Sequence, residues 1–202
     1  IDLPALMEYL TFQNIFTDRT LLKNINILPA GHFGGLKHQD KKITIKKFWD
    51  FKFEEPNNKL NKSEYIEELR FLFKQAVKRQ LVSDVELGCY LSGGMDSGAI
   101  TAIASKAYPN LKTFTCGFDI SSASGLELSF DERSKAKAMS ALFKTEQYEM
   151  VLKAGDMERC LSRLTWHLEE PRVGQCYPNY YMAKLASKFV KVVLSGSGGD
   201  EL

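Results

Sequence analysis

The apolar residues of the chain recur first at helical spacing and then in short continuous runs. From Asn61 or Ser63, either of which is a good N-cap, the pattern predicts a helix that ends near Leu81. Further along, predicted strands at 85–91, 111–118, 147–152 and 190–194 alternate with predicted helices at 96–108, 131–143, 157–167 and 179–189. Several of these strands are fully apolar. The alternation therefore predicts an α/β fold, with a mostly parallel sheet covered by helices on both faces.

The first predicted helix of this series carries one apolar stripe, which must face a sheet or another helix. Its members are Ile66, Leu69, Phe73, Ala76, Val77 and Leu81.

Residues 1–53 differ from the rest of the chain in the pattern of their predicted elements. They contain a short predicted helix at 3–12, a turn at 28–33 and two strand-like runs that end near residue 51. The polar stretch that follows includes Pro56, Asn57 and Asn58, which disfavour the interiors of helices and strands. We therefore predict a linker at 54–62 that separates a short β-containing region from an α/β domain at 63–202.

Composition and charge narrow the class of protein. The chain has 202 residues, which suffices for one α/β domain with an appendage or for two small domains. Its 27 Lys and Arg residues nearly balance 25 Asp and Glu residues, and no block of like charge suggests a nucleic-acid partner. No apolar run approaches the roughly 18 residues of a membrane span. The four cysteines form no CxxC pair, so neither zinc nor a disulfide framework is indicated, and a cytoplasmic location is the simplest expectation.

The segment at 91–98, LSGGMDSG, carries the clearest chemistry. It follows a predicted strand and opens a predicted helix, a position where free N–H groups and the helix dipole favour an anion. Gly93 and Gly94 let the backbone approach a phosphate, and the hydroxyls of Ser92 and Ser97 can donate hydrogen bonds to it. Asp96 would repel a polyphosphate unless a divalent cation lies between them, so the motif predicts magnesium. The lysine of a Walker A loop is absent.

This segment resembles the SGGxDS pyrophosphate loop of the ATP pyrophosphatases that adenylate a carboxylate or a carbonyl. Within that superfamily the chain is most similar to the glutamine-dependent asparagine synthetases, over essentially its whole length. The further matches are 28–32 (LPAGH) with Trp49, Asp131 and Glu132 with Ala136, Glu170 with Pro171, and 193–202 (VLSGSGGDEL).

The resemblance implies a Rossmann-like fold of the adenine nucleotide alpha hydrolase type at 63–202, truncated at its carboxyl end. It also implies that 1–53 is the carboxyl-terminal remnant of an Ntn-type glutaminase domain. By the same resemblance, the β- and γ-phosphates of ATP would be held by Ser92, Gly93, Gly94, Asp96 and Ser97. The adenosine would contact the backbones of Leu91 and Cys116, the pocket would be closed by Ser195 and Gly196, and the magnesium would be shared by the catalytic residues Asp96 and Asp200.

The implied activity is that of an AMP-forming carbon–nitrogen ligase. A carboxylate, aspartate in this family, would attack the α-phosphorus of ATP to give an acyl-adenylate and pyrophosphate, and ammonia from glutamine would then displace AMP. The implied partners are these small molecules and the glutaminase domain of the parent chain. Whether the protein forms a homodimer is left open by the sequence. As a piece, the chain is expected not to hydrolyse glutamine and to have at most weak synthetase activity.

Three positions depart from the family pattern. Ser197 stands where asparagine synthetases usually carry Glu, and a hydroxyl cannot act as a general base near neutral pH as a carboxylate can. Gln147 replaces a common His and Gly98 a frequent Ser. The acceptor acid therefore stays open. Two other readings also stay open: a related enzyme acting on a nucleotide or a tRNA base, and a nucleotide-binding piece without turnover.

Overall fold

The computed structural model of the chain describes residues 1–37, 42–53, 61–119, 121, 131–170, 172 and 175–199. The chain forms two compact units, the first made of 1–59 with 168–174 and the second of 60–167 with 175–202. Residues 54–60 of the predicted linker lie outside the described residues. No helix in the described ranges is long and apolar enough to cross a membrane.

The first unit contains one helix and one two-stranded sheet. Helix α1 (Leu3–Phe12) begins where the Asp2 carboxylate accepts a hydrogen bond from the Ala5 N–H at 3.0 Å. Strand β1 (His32–Gly35) pairs antiparallel with β2 (Thr44–Lys47). The turn before β1 needs glycine, because Gly31 has a φ of +68° and an added Cβ would overlap the Trp49 carbonyl oxygen.

The second unit contains the predicted parallel sheet. Its strands are β3 (Leu87–Tyr90), β4 (Lys112–Phe118), β5 (Glu146–Leu152) and β6 (Val192–Leu194). Its helices are α2 (Lys62–Gln80), α3 (Met95–Ala107), α4 (Arg133–Phe143), α5 (Asp156–Leu168) and α6 (Cys176–Ala186). The strand order is β5-β4-β3-β6 and every pair is parallel. The α/β prediction is confirmed.

Two apolar clusters cover the two faces of this sheet. On one face, Val77 of α2 and Ala104 of α3 pack with Leu87 and Cys89 of β3. The other face carries Phe114 of β4, which is fully buried in a cluster with Met182, Ala186 and Val190 of α6 and its continuation. The sheet is therefore sandwiched between helices.

The strand order creates a crevice at the carboxyl end of β3. From β3 the chain winds through α3 to β4 and through α4 to β5 on one side, whereas β6 lies on the other side of β3. The direction of the strand order therefore reverses at β3, and in open parallel sheets ligands bind beside the carboxyl ends of the strands at such a reversal.

The prediction for the apolar stripe of α2 is only partly right. Val77 and Leu81, near the carboxyl end of the helix, are buried. Ile66, Leu69 and Phe73 are 47%, 67% and 36% exposed. The spacing identified the stripe correctly, but the buried cluster on this face of the sheet includes only Val77 and Leu81 of the stripe, near the carboxyl end of the helix.

Candidate functional site

A cavity of about 480 Å³ occupies the crevice at the carboxyl ends of β3, β4 and β6. Among the residues that the structure describes, those that line it belong to the second unit. Its walls are formed by the loop after β3, the end of β4, the start of α4, the loop after β6 and one face of α6.

The loop after β3, residues 91–98, is here called the glycine loop. Gly93 has a φ of +87°, which side-chain-bearing residues rarely adopt. A Cβ added there would lie 2.7 Å from Lys135 Cβ and 3.1 Å from the Ala136 nitrogen, both in the first turn of α4. Gly94 is the N-cap of α3 and has extended backbone angles. The loop can therefore turn sharply and pack tightly against α4 only because position 93 has no side chain.

Two hydroxyls brace the glycine loop from inside. The Ser97 Oγ accepts a hydrogen bond from the Ser92 N–H at 3.2 Å and donates one to the Gly94 carbonyl at 3.2 Å. The Ser92 Oγ lies 3.0 Å from the Ser97 Oγ and accepts a hydrogen bond from the Gly94 N–H at 3.2 Å. Ser97 is buried and Ser92 is exposed, so Ser97 maintains the loop's shape while the Ser92 hydroxyl remains accessible to a ligand.

The first turn of α3 presents to the cavity N–H donors that bond to none of the described residues. The helix has no side-chain cap, so the N–H groups of Met95, Asp96 and Ser97 have no partner within the helix. All three residues line the cavity. Together with the positive end of the helix dipole, these donors make an electropositive pole suited to an anion.

The loop after β6 closes against this pole. A Cβ added to Gly196 would lie 2.9 Å from the Ser97 nitrogen, and one added to Gly199 would lie 2.5 Å from Asp96 Cγ. The loop is itself braced, because the Ser195 Oγ accepts from the Ser197 N–H at 3.2 Å. The structure therefore brings two segments that are a hundred residues apart in sequence into contact around the Asp96 carboxylate.

The remaining predicted site residues form the apolar end of the cavity. Leu91 is fully buried and Cys116, near the end of β4, is half-buried. Burial, with a smaller contribution from the charge of Asp131, raises the pKa of the Cys116 thiol to about 11, so it is neutral and not a nucleophile. Five other apolar residues of the described chain line the cavity: Tyr90, Met95, Phe118, Pro178 and Met182.

The charge of the cavity wall has one sign. Asp96 and Glu132 line it, and within the described part of the chain no Lys, Arg or His does. The Asp96 carboxylate has no hydrogen bond or ion pair with any residue that the structure describes. A bound polyphosphate would therefore need a cation beyond the helix pole, and the free carboxylate is the kind of oxygen ligand that Mg²⁺ prefers.

The fit to magnesium rests on Asp96 and on the approach of the β6 loop to it. Asp200, the second predicted ligand, lies outside the described residues, one position beyond Gly199. Among the residues described, no three His, Cys, Asp or Glu side chains cluster as a metal cage. Magnesium suits such a site, because it is usually bound by one or two carboxylates together with substrate phosphates.

An ion pair ties the end of β4 to the start of α4. The Arg133 guanidinium donates to both Asp131 carboxylate oxygens at 2.6–3.0 Å and to the Phe118 carbonyl at 2.8 Å. The hydrogen bonds from Arg133 lower the pKa of Asp131. The pair therefore holds the start of α4, and with it Glu132, at the mouth of the cavity. Sequence reasoning noted Asp131 but not its partner.

Sequence reasoning also missed the wall formed by α6. Gln175, Pro178, Asn179 and Met182 line the cavity. Their spacing of three and four residues puts them on one helical face. This spacing was a detectable signal, but the predicted start of the helix at 179 was three residues too late and concealed it.

Comparison with known proteins shows the family to which the chain belongs. The chain matches the protein-family model described as asparagine synthase over residues 68–202. Asparagine synthetase [glutamine-hydrolyzing] 1 of Bacillus subtilis (strain 168) is 32% identical over 203 residues, which covers 100% of this chain and 30% of that protein. A putative asparagine synthetase [glutamine-hydrolyzing] 2 of Methanocaldococcus jannaschii is 33% identical over 164 residues, or 80% of this chain and 30% of that protein.

Among solved structures, an NH3-dependent NAD synthetase from Campylobacter jejuni superposes with a TM-score of 0.36 and 14% identity, covering 68% of this chain and 57% of that one. The chain spans about 30% of the length of the curated relatives that it matches along its whole extent. Since the family match covers residues 68–202, which form most of the chain, this protein belongs to the asparagine synthase family.

Proposed function

We propose that this chain binds ATP in the crevice at the end of β3 and takes part in ATP-dependent amide formation. A substrate carboxylate is adenylated with release of pyrophosphate, and ammonia then converts the adenylate to an amide and AMP. The observation that carries the proposal is the uncapped amino terminus of α3. It lies beside a glycine loop in a cavity lined by the Asp96 carboxylate, which has no partner among the described residues, in a member of the asparagine synthase family.

Each part of the nucleotide has a proposed place. The β- and γ-phosphates lie on Ser92, Gly93, Gly94 and the first turn of α3, including Asp96 and Ser97. The adenosine lies at the apolar end, against the backbones of Leu91 and Cys116. The pocket is closed by Ser195 and Gly196 of the loop after β6.

The charge balance of the first step supports this placement. A carboxylate oxygen bonds to the α-phosphorus, and the bond to the bridging oxygen breaks with its electron pair leaving on pyrophosphate. The negative charge that grows on the leaving group faces the free N–H groups of α3, which are already oriented and need no reorganisation. Asp96 with Asp200 would hold magnesium, which supplies further neutralisation of the leaving pyrophosphate.

In the second step, ammonia converts the adenylate to the amide. Ammonia attacks the carbonyl carbon, AMP leaves, and the nitrogen loses a proton. The acceptor of the family is aspartate. Ser197 cannot supply the carboxylate that the family usually carries at this place, so the proposal also includes a related acid as the acceptor. We further propose that residues 1–53 are the end of a glutaminase domain that supplies ammonia from glutamine, in keeping with relatives that are named glutamine-hydrolyzing asparagine synthetases.

Binding tests the nucleotide site directly. Calorimetric titration of the chain with ATP and with pyrophosphate, each with and without Mg²⁺, should show binding that Mg²⁺ strengthens. Ser97→Ala should weaken both, because it removes the brace of the glycine loop. The matched control is Ser105→Ala on the same helix, whose hydroxyl donates to the Ala102 carbonyl and to no other described group, and it should leave binding unchanged. Equal effects of the two variants would argue against the site.

Product analysis tests the reaction. The full-length gene product that carries this chain is supplied with ATP, Mg²⁺, ammonia or glutamine, and a panel of carboxylic acids. We expect AMP and pyrophosphate, with one acid giving strong release. Strong release with aspartate alone would identify the acceptor despite Ser197. Formation of ADP and phosphate would refute adenylation, and binding of ATP without any product would leave only a nucleotide-binding role.

A further inference from the structure

One peptide unit at the entrance of the glycine loop is bound at both of its polar ends. The carbonyl of Leu91 accepts a hydrogen bond from the Thr115 hydroxyl at 2.8 Å. The N–H of Ser92, which belongs to the same peptide, donates to the Ser97 Oγ at 3.2 Å. Because a peptide is planar, these two bonds fix its orientation and so the direction in which the glycine loop leaves β3.

The side-chain hydroxyl acts where the backbone ladder ends. The paired register of β3 with β4 stops at Tyr90 opposite Phe114, and beyond it the Leu91 N–H donates to the Phe114 carbonyl at 2.9 Å. The next carbonyl, that of Leu91, is bonded by Thr115 instead. Leu91 is fully buried, so this carbonyl needs a partner within the protein.

The hydroxyl is itself supported by the next strand. Thr115 is 1% exposed, and its Oγ1 accepts a hydrogen bond from Gln147 Nε2 of β5 at 3.0 Å. A hydroxyl has one proton, which here goes to Leu91, and its lone pairs remain for Gln147. The hydrogen-bond chain Gln147–Thr115–Leu91 thus links three neighbouring strands, β5, β4 and β3, to the loop.

We propose that Thr115 is a positioning residue for the phosphate-binding loop, and that Gln147 supports it. Neither residue lines the cavity, so both act through the Leu91–Ser92 peptide. When the hydroxyl is lost, the buried Leu91 carbonyl loses its partner and the peptide is free to rotate. Its N–H then leaves Ser97, and the donors of the loop no longer converge on one anion. This inference rests on the proposed function.

The chain offers a matched control two residues away. Thr113 lies on the same strand and the same face and is 0% exposed, but its hydroxyl contacts Thr145 Oγ1 at 3.2 Å, away from the loop. Thr115→Val and Thr113→Val therefore make the same chemical change at equal burial, and both should lower stability. Only Thr115→Val should weaken binding of ATP and pyrophosphate, by about tenfold, which corresponds to about 1.4 kcal/mol.

Two further variants separate positioning from general damage. Thr115→Ser restores the hydroxyl and should bring the affinity back towards that of the unchanged chain. Gln147→Leu keeps the Thr115–Leu91 bond but removes its support, and should weaken binding by a smaller factor, about threefold. It also keeps the test available if Thr115→Val does not fold. Unchanged affinity in Thr115→Val, an equal loss in Thr113→Val, or failure of the Ser variant to recover would each overturn the proposal.

Hydrogen exchange gives a readout that does not need ATP. The Ser92 amide should be protected in the unchanged chain and in Thr113→Val, and should exchange faster in Thr115→Val. If the unchanged chain binds neither ATP nor pyrophosphate, the proposed function fails, and the exchange rate of Ser92 still decides whether Thr115 positions the loop. Equal protection in all three proteins would refute the positioning role even if ATP binds.

Discussion

Replacing Gly93 by alanine tests the close packing on which the candidate site depends. The backbone at this position has a φ of +87°, and forcing an alanine into the left-handed region costs about 1–2 kcal/mol. The added Cβ would also stand 2.7 Å from Lys135 Cβ and 3.1 Å from the Ala136 nitrogen. Overpacking of this kind adds roughly 1–3 kcal/mol. We therefore expect Gly93→Ala to lower the free energy of unfolding by about 2–5 kcal/mol.

Two other glycines separate these contributions. Gly198 has a φ of +94°, but no described atom lies within 4 Å of an added Cβ, so Gly198→Ala should cost only the strain of the backbone conformation, about 1–2 kcal/mol. Gly94 has a φ of −77°, and its added Cβ would meet only the Ser92 Oγ at 3.2 Å. Gly94→Ala should therefore change stability by less than about 1 kcal/mol.

Urea unfolding followed by circular dichroism measures all three variants. With a typical dependence on urea, the midpoint of Gly93→Ala should fall by roughly 1–2 M relative to the unchanged chain. The order of loss should be Gly93 first, then Gly198, then Gly94. A Gly93→Ala protein as stable as Gly198→Ala would refute the close approach of the glycine loop to α4. If Gly94→Ala were the most damaging, the backbone assignment of the turn would be wrong.

Three further predictions concern the cavity and the groups around it. Gly199→Ala would bring a Cβ to 2.5 Å from Asp96 Cγ, so calorimetry should show a loss, about tenfold, of ATP affinity in the presence of Mg²⁺ and a smaller loss without it; equal losses would argue against a metal at Asp96. Burial raises the pKa of the Cys89 thiol to about 11 from a usual value of 9.0. The unfolded chain therefore loses this proton first, and stability should fall as the pH rises from 9 to 11. Cys89→Ala should flatten this dependence in urea titrations, and an unchanged slope would contradict the prediction. Asp131→Asn removes the charged partner of Arg133 and should cost about 1–2 kcal/mol at pH 7; because the pKa of Asp131 is lowered in the folded state, the difference from the unchanged chain should shrink in acid, and a constant difference would show that the charge is not involved.

The features of the fold that depend on neighbouring residues were predicted well from the sequence. Helix α2 begins as predicted because Asn61 and Glu64 form a reciprocal capping box, with hydrogen bonds of 3.1 and 2.7 Å between partners three residues apart. The run of strands and helices that follows was predicted because each element shows its period within its own residues. The predicted roles of Asp96 and Asp200 in metal binding remain predictions.

The candidate site was predictable only where its parts are neighbours in sequence. The glycine loop could be recognised from the sequence, because its Gly, Ser and Asp residues adjoin one another and the backbone conformation that they require is local. The α6 wall and the Arg133–Asp131 clamp needed exact helix starts, which apolar spacing does not give to better than a few residues. The first turns of α2 show a different limit of sequence-based prediction. The apolar stripe was predicted correctly, but which of its residues are buried depends on the positions of other elements.

The amino-acid sequence was enough to predict the class of fold, the order of its elements and the glycine loop as a candidate phosphate site, since these depend on hydrogen bonds and dihedral angles within a few residues. The tertiary structure alone decided that β6 lies beside β3, which sets Gly196 and Gly199 against Asp96. It alone decided that Thr115 reaches the Leu91 carbonyl. These contacts join residues that are 24 to about 100 positions apart. Their existence depends on strand order and register, and these are set by the packing of the whole sheet rather than by any one segment.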